Sequence, residues 1–212
     1  MTSTDDTQRL AVLVHEVRSP VAALSAIAEA IADKSLDGSE RLELARLVIS
    51  ACRGIERVVL DAAIASVRLE RVDVGALVRQ VAAAASLVGM RVEPSVAADL
   101  PRITADPLRL RQALDNLVAN ALTHAGSDEE VSVTATSNGT YVLLSVSDSG
   151  SGVPLMEQER IFEAGVRLNP NRAGSGLGLA IARAIAEAHG GHLTVTSTPR
   201  VGATFTIALP VR

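Results

Sequence analysis

The sequence predicts an α+β protein in two parts: a two-helix hairpin that pairs with a second copy into a four-helix bundle, then an α/β sandwich with one helical layer. Three observations carry this. Apolar residues step by four and three through two long runs in the first seventy residues, as in a helical seam. Alternating runs separated by turn signals fill much of the rest. The change between the two periods falls near Arg71-Val72-Asp73, which bounds the parts at residues 1–70 and 71–212.

The first helix is predicted from about Thr4 to Lys34, with Leu10, Val14, Val17, Val21, Leu24, Ala28 and Ile31 as its seam. His15 stands one residue past a seam position, on the flank. An imidazole of ordinary pKa, about 6.5, is largely neutral near pH 7 and keeps a nitrogen lone pair, so His15 is a competent nucleophile. Glu16 beside it can bond the other ring nitrogen and take up the proton released in an attack. Pro20 lacks the amide proton that would bond the carbonyl of Glu16, so the helix loosens one turn later. A surface histidine beside a helix proline is the plainer account of the same residues.

Asp37-Gly38-Ser39 breaks the pattern, and Ser39 is the expected N-cap of a second helix from about Glu40 to Leu69. Its seam is Leu44, Val48, Ala51, Ile55, Val58, Ala62, Ala65 and Leu69. Ile49, Cys52 and Val59 widen the apolar face beyond what one hairpin buries, which predicts a homodimer. Cys52, the one cysteine, excludes an internal disulfide framework and a cysteine zinc site, and reads as a small core residue.

In the second part, Asp73 caps a helix over Val74 to Leu87, and short strands follow at Arg91-Val92-Glu93 and Arg102-Ile103-Thr104. Asp106-Pro107 starts a helix to about His124, with a cap followed by proline at the first helical position. Val131 to Thr136 and Tyr141 to Ser147 flank Asn138-Gly139, a hairpin signal. A helix over Gly176 to Ala188 stops at Gly190-Gly191, and His192 to Ser197 with Ala203 to Leu209 form a closing hairpin.

Composition narrows the function. With 48% hydrophobic and 21% charged residues, the 212-residue chain is globular rather than a polar tail. No apolar run reaches membrane-spanning length and Met1 to Arg9 shows no signal-peptide pattern, so a soluble, cytoplasmic chain is expected. A net charge of -4 and 1% aromatic residues argue against nucleic-acid binding, which needs a basic surface or rings on which bases stack.

Three motifs carry chemistry. In Asp115-Asn116-Leu117-Val118-Ala119-Asn120, the two asparagines lie four apart on one helical face. Their oxygens suit Mg²⁺ and their amide protons suit phosphate. Asp148-Ser149-Gly150-Ser151-Gly152 follows an apolar strand, where a carboxylate can accept from a purine amine and glycines let backbone approach the base. Gly174-Ser175-Gly176-Leu177-Gly178-Leu179 opens a helix, exposing amides at the positive end of its dipole to a triphosphate. About twenty residues between the last two motifs are rich in Pro, Asn and Gly, and read as a mobile lid in which Phe162 is both a hydrophobic anchor and a lid residue.

In this order the motifs resemble those of the sensor histidine kinases of two-component signalling, whose ATP-binding domain has the Bergerat fold shared with gyrase and the mismatch-repair ATPases. His15 to Pro20 looks like the H box, Asn116 to His124 the N box, and Asp148 to Gly152 the first G box. Ile161-Phe162-Glu163 looks like the F box and Gly174 to Leu179 the second G box. The resemblance implies a dimerisation and phosphotransfer domain at 1–70 and a catalytic ATP-binding domain at 71–212. It implies that ATP phosphorylates His15 with Mg²⁺ held through Asn120, and that a response regulator aspartate then takes the phosphoryl group. Asn116, Asn120, Asp148, Gly150, Gly152, Phe162, Gly174, Gly176, Leu177, Gly178 and Thr204 would bind the nucleotide, with Arg172 or Arg167 reaching the phosphates from the lid. Ser19 stands where relatives carry a residue that orients a hydrolytic water, which implies regulator phosphatase activity. Thr123 replaces the usual basic residue of the N box, and Ala164-Gly165 the second aromatic of the F box, which implies slow turnover and a looser lid. Sensor input would come from another protein or from a further part of a longer chain. A phosphotransfer protein without ATP binding, and a nucleotide-binding scaffold with little kinase activity, are the competing readings.

Overall fold

A computed structural model describes residues 17–18, 20–30, 37–64, 67–87, 90–125, 131–169 and 175–211. The chain divides into two compact units, Met1–Ala62 and Ala63–Arg212.

In the first unit the described helical residues 17–18 and 20–30 form α1, and Gly38–Ile64 forms α2. The α2 cap is Asp37 rather than Ser39. Its carboxylate accepts from the amides of Ser39 (2.7 Å) and Glu40 (2.9 Å), while Glu40 Oε2 accepts from the Asp37 amide at 2.9 Å. That reciprocal pair is a capping box built on an aspartate, whose longer acid reaches further than the serine hydroxyl. Leu44, Val48, Ala51, Ile55 and Val58 face inward from α2 as the spacing predicts. On α1 the inner residues are Val17, Pro20, Leu24, Ile27 and Ala30, so Val21 and Ala28 leave the predicted seam and are exposed. At this shift Pro20 sits against Gly54, where an added Cβ would stand 3.8 Å from the proline Cβ. Cys52 is also a correction. One position past buried Ala51, it is rotated about 100° from the seam and is exposed in the single chain. Leu42, Leu47 and Ile49 are exposed as well. His15, Glu16 and Ser19 lie outside the described residues.

Helix α2 ends at Ile64 rather than Leu69, and the second unit begins within its last turn, at Ala63. Glu70–Val72 forms β1, which pairs antiparallel with β3 (Ile103–Ala105) in a separate two-stranded sheet. Between them lie α3 (Val74–Leu87), capped by Asp73 through the Ala76 amide at 2.9 Å, and β2 (Val92–Val96). Then come α4 (Pro107–His124), β4 (Val131–Ser137), β5 (Tyr141–Asp148), α5 (Gly178–Ala188), β6 (His192–Thr198) and β7 (Gly202–Pro210).

The main sheet has the order β2-β4-β5-β7-β6, with β2 parallel to β4 and every other pair antiparallel. Strand alternation sorts its faces. Val142, Leu144, Val146 and Asp148 of β5 are buried, while Leu143, Ser145 and Ser147 between them are half-buried. The buried face meets α3, α4 and α5, which supply Val78, Leu110, Leu114, Leu117, Ile185 and Ala186 to the core. The other face carries hydroxyls, with Ser145 against Thr206 at 2.9 Å. The architecture is therefore an α/β sandwich with one helical layer. Among the described residues no helix is long and apolar enough to cross a membrane.

Candidate functional site

The helix α4 turns Leu110, Leu114, Leu117 and Ala121 into the core, which leaves Asn116 and Asn120 half-buried on the adjoining flank. Asn116 Nδ2 is buried and has no hydrogen-bond partner in the described structure. A buried donor left unmade costs about 1–3 kcal/mol, so this is a place shaped for an acceptor that arrives with a ligand.

Asp148 ends β5 on the same buried face and is 9% exposed. Its Oδ1 accepts from the Gly150 amide at 2.9 Å, which folds the turn back on the carboxylate. A Cβ at Gly150 would collide with the carbonyl oxygen of His124, so only glycine lets this turn pass the C-terminal end of α4. Gly152, at φ +64°, likewise crosses the Thr198 carbonyl. Gly178 opens α5 beside α4, and a Cβ there would stand 3.8 Å from the Cβ of Asn116. Asn116 thus adjoins the N-terminus of α5, while the Asp148 turn packs against the C-terminal end of the same α4 helix, at His124. Leu177 and Gly176 precede that helix, and Gly176 (φ +74°) accepts at its carbonyl from the Gly165 amide at 3.2 Å.

Phe162 is packed as a hydrophobic anchor: it is buried, edge-on to Phe205 with centroids 6.3 Å apart, and the Arg183 guanidinium lies 5.7 Å from its ring centre. Two short 3₁₀ turns, Leu155–Glu157 and Arg160–Phe162, build this first half of the supposed lid. Gln158 pins it by donating to the carbonyls of Val153 and Ser197. Thr204 does not share the Asp148 face of the sheet: strand alternation puts it on the hydroxyl-bearing face, bonded to Ser147 at 2.8 Å. The β7 residue registered against Asp148 is Ala203. Thr123 is exposed and donates to the Ala119 carbonyl at 2.7 Å, and Arg167 is exposed. Arg172 and Gly174 lie outside the described residues.

Asp106, the α4 cap, has electrostatic consequences. Burial raises its carboxyl pKa, but the amides of Arg68, Arg109 and Leu108, with the Arg109 charge, outweigh burial and hold it below its ordinary value. A carboxyl whose folded pKa is depressed adds stability above its unfolded pKa, near 4, and loses it as pH falls through the folded value. The urea midpoint of the protein should therefore exceed that of Asp106→Asn at pH 7 and at pH 5, and the gap should narrow as pH falls below the unfolded value and through the lower folded one. A gap that persists in acid would mean that the carboxylate charge contributes nothing.

The residues fit a nucleotide, through the orphaned Asn116 amide, the buried Asp148 and the glycine turns around them. They fit Mg²⁺ in one manner. Among the described residues no cluster of three His, Cys, Asp or Glu could hold a metal alone, so Asn120 would share the cation with substrate phosphates and water.

Comparison with known proteins agrees with this arrangement. A family profile described as histidine kinase-, DNA gyrase B- and HSP90-like ATPase matches residues 105–212, about half of the chain. The sensor histidine kinase ZraS of Escherichia coli O157:H7 is 34% identical over 207 residues, covering 94% of this chain and 45% of the relative. The chain thus spans about half the length of that relative. The crystal structure of full-length ShkA in complex with AMPPNP superposes with a TM-score of 0.66 at 32% identity, over 96% of this chain and 45% of that one. The mycobacterial sensor histidine kinase MprB superposes with a TM-score of 0.60 at 27% identity, over 68% of this chain and 99% of that one. With sensor histidine kinases as its relatives, the protein belongs to the histidine kinase-, DNA gyrase B- and HSP90-like ATPase family.

Proposed function

We propose that this chain is the core of a two-component histidine kinase: it binds ATP in the second unit, phosphorylates His15 in the first, and hands the phosphoryl group to a response regulator aspartate. The observation that carries this reading is the buried, unpartnered Asn116 amide beside the α5 N-terminus, on the helix whose far end meets the Asp148 turn. Asp148 accepts from the exocyclic amine of adenine. Asn116 donates to phosphate, and the amides around Gly176 to Gly178 meet the phosphates at the positive end of α5. Mg²⁺ at Asn120 supplies charge neutralisation. Neutral His15 attacks the γ-phosphorus, a nitrogen–phosphorus bond forms, the bond to the bridging oxygen breaks and ADP leaves. The ring proton passes to Glu16. Phosphoryl transfer is mainly positioning and electrostatics, so no further covalent chemistry is required of the chain.

The first unit would pair with a second copy. The first unit exposes Leu42, Leu47 and Ile49, and a groove of about 720 Å³ lined by Pro20, Ile27, Ala51 and Gly54 runs along its helices. A four-helix bundle between two copies covers these residues. Ser19 would orient water for regulator dephosphorylation.

The test is incubation with γ-labelled ATP and Mg²⁺. Acid-labile, alkali-stable label should appear on the protein and be absent from His15→Ala. ATP binding without label would discard the kinase reading and leave the nucleotide-binding scaffold.

A further inference from the structure

Asp106 lies apart from the nucleotide pocket, yet it is 5% exposed and divides its two oxygens between different tasks. Oδ1 accepts from the amides of Leu108 (3.0 Å) and Arg109 (3.1 Å) and so caps α4. Oδ2 accepts at 2.8 Å from the amide of Arg68, a residue 38 positions earlier in the chain. Arg68 falls between Ile64, the last residue of α2, and Glu70, the first of β1. The carboxylate therefore grips the backbone that connects α2 to β1, in the first few residues of the second unit. Beside it, Glu70 is registered against Ala105, so the connection runs along the strand that feeds α4.

His189 holds the node from the other side. Its Nε2 accepts from the Asp106 amide at 2.9 Å, and its Nδ1 stands 2.7 Å from the Ile185 carbonyl oxygen. An Nε2 that accepts leaves the proton on Nδ1, which then donates to Ile185, so both ring nitrogens of this buried side chain are used. His189 terminates α5.

Helix lengths carry the node to the pocket. Ten residues of α4 separate Asp106 from Asn116, about 15 Å, and eleven of α5 separate His189 from Gly178, about 16 Å. Gly178 and Asn116 are neighbours, so α4 and α5 run antiparallel, with the Asp106–His189 node at one end and the nucleotide site further along. Capping α4 needs one acceptor oxygen, which a serine supplies. The second oxygen, and the histidine on the amide, are beyond what a cap requires.

We propose that Asp106 is a positioning residue that ties the connecting segment to the two nucleotide-binding helices, so that nucleotide occupancy and the exit path of that segment are coupled. Its consequence for catalysis rests on the kinase reading above, because transfer to His15 requires the connecting segment to present one unit to the other. The coupling itself does not.

Amide hydrogen exchange of the full chain, followed by NMR at Arg68 with and without AMPPNP, tests it. AMPPNP should slow exchange of the Arg68 amide about fivefold in the wild type, the scale of a modest coupling. In Asp106→Asn the cap oxygen survives but the group facing Arg68 no longer accepts. The amide should then exchange at least about tenfold faster, indifferent to AMPPNP. Because coupling is reciprocal, the variant's AMPPNP Kd should rise by the same factor of about five. Labelling of His15 at saturating ATP should fall about tenfold in the variant. Arg68 exchange that ignores AMPPNP in the wild type overturns the proposal without recourse to any variant, and does so even if His15 is labelled. A wild type with AMPPNP-sensitive Arg68 exchange but no label keeps the tether and discards the kinase reading.

Discussion

Asn116→Leu is expected to weaken ATP binding at least about a hundredfold, a loss of about 2.7 kcal/mol, while leaving the unliganded protein as stable as before or about 1 kcal/mol more stable. The two effects have opposite signs because they come from one atom. In the free protein Asn116 Nδ2 is buried without a partner, so the fold carries a desolvated donor for no return. Leucine has the same branched heavy-atom skeleton and no donor, and Asn116 adjoins Leu117 and Ala113 of the core-facing side of α4. With a nucleotide present, the same donor meets an anionic oxygen in a place screened from water, where a charge-assisted hydrogen bond is strong. Calorimetric titration with ATP and urea unfolding without it measure the two halves separately. Lost affinity accompanied by lost stability would mean that Asn116 is a structural residue of α4, and the site would then have to be sought elsewhere.

That trade between stability and binding explains which parts of the molecule were legible in its sequence. Asp73 and Asp106-Pro107 announce their helices because a cap is a local event, settled within three residues. Asn138-Gly139 announces its hairpin for the same reason, with Gly139 at φ +88°. The candidate site was legible as motifs because asparagine inside a helix and glycine against a strand end are poor choices for folding alone. What stayed hidden is what depends on distant partners. Strand β1 is three residues long and owes its existence to β3, thirty-odd positions away. The seam of α1 shifts at Pro20, which sits against Gly54 on the other helix. Phe162 reads as part of a loop rich in turn formers, but the chain's other phenylalanine, Phe205, draws it into the core. The face of Thr204 is a matter of parity: a shift of one residue along a strand exchanges the faces of a sheet. His189 resembles a residue at a helix end until the amide of Asp106 is found on its ring.

Gly202→Ala should cost about 3 kcal/mol or more of folding stability and weaken ATP binding as well, although the residue lies outside every sequence motif. Two penalties combine. At φ +136° its backbone lies in a region that side chains rarely adopt. A methyl group would also collide with the carbonyl oxygen of Asp148 and meet Ser149 Cα at 2.9 Å. Neither is easily relieved, because Gly202 closes the β6–β7 hairpin opposite Thr198 and its carbonyl accepts from Ser197 Oγ at 2.6 Å. The strand can yield only by moving away from the end of β5. Asp148 is registered to the next residue, Ala203, so that movement shifts the carboxylate and the Gly150 turn it organises. Gly38→Ala is the matched comparison: nothing stands within 4 Å of a Cβ there, and alanine at the start of α2 should be neutral or stabilising by up to about 1 kcal/mol. Urea unfolding of both variants with ATP titration of each decides the matter. Equal midpoints would show that β7 can retreat from β5 at no cost. A destabilised Gly202→Ala that keeps its ATP affinity would separate the position of Asp148 from the strand beside it.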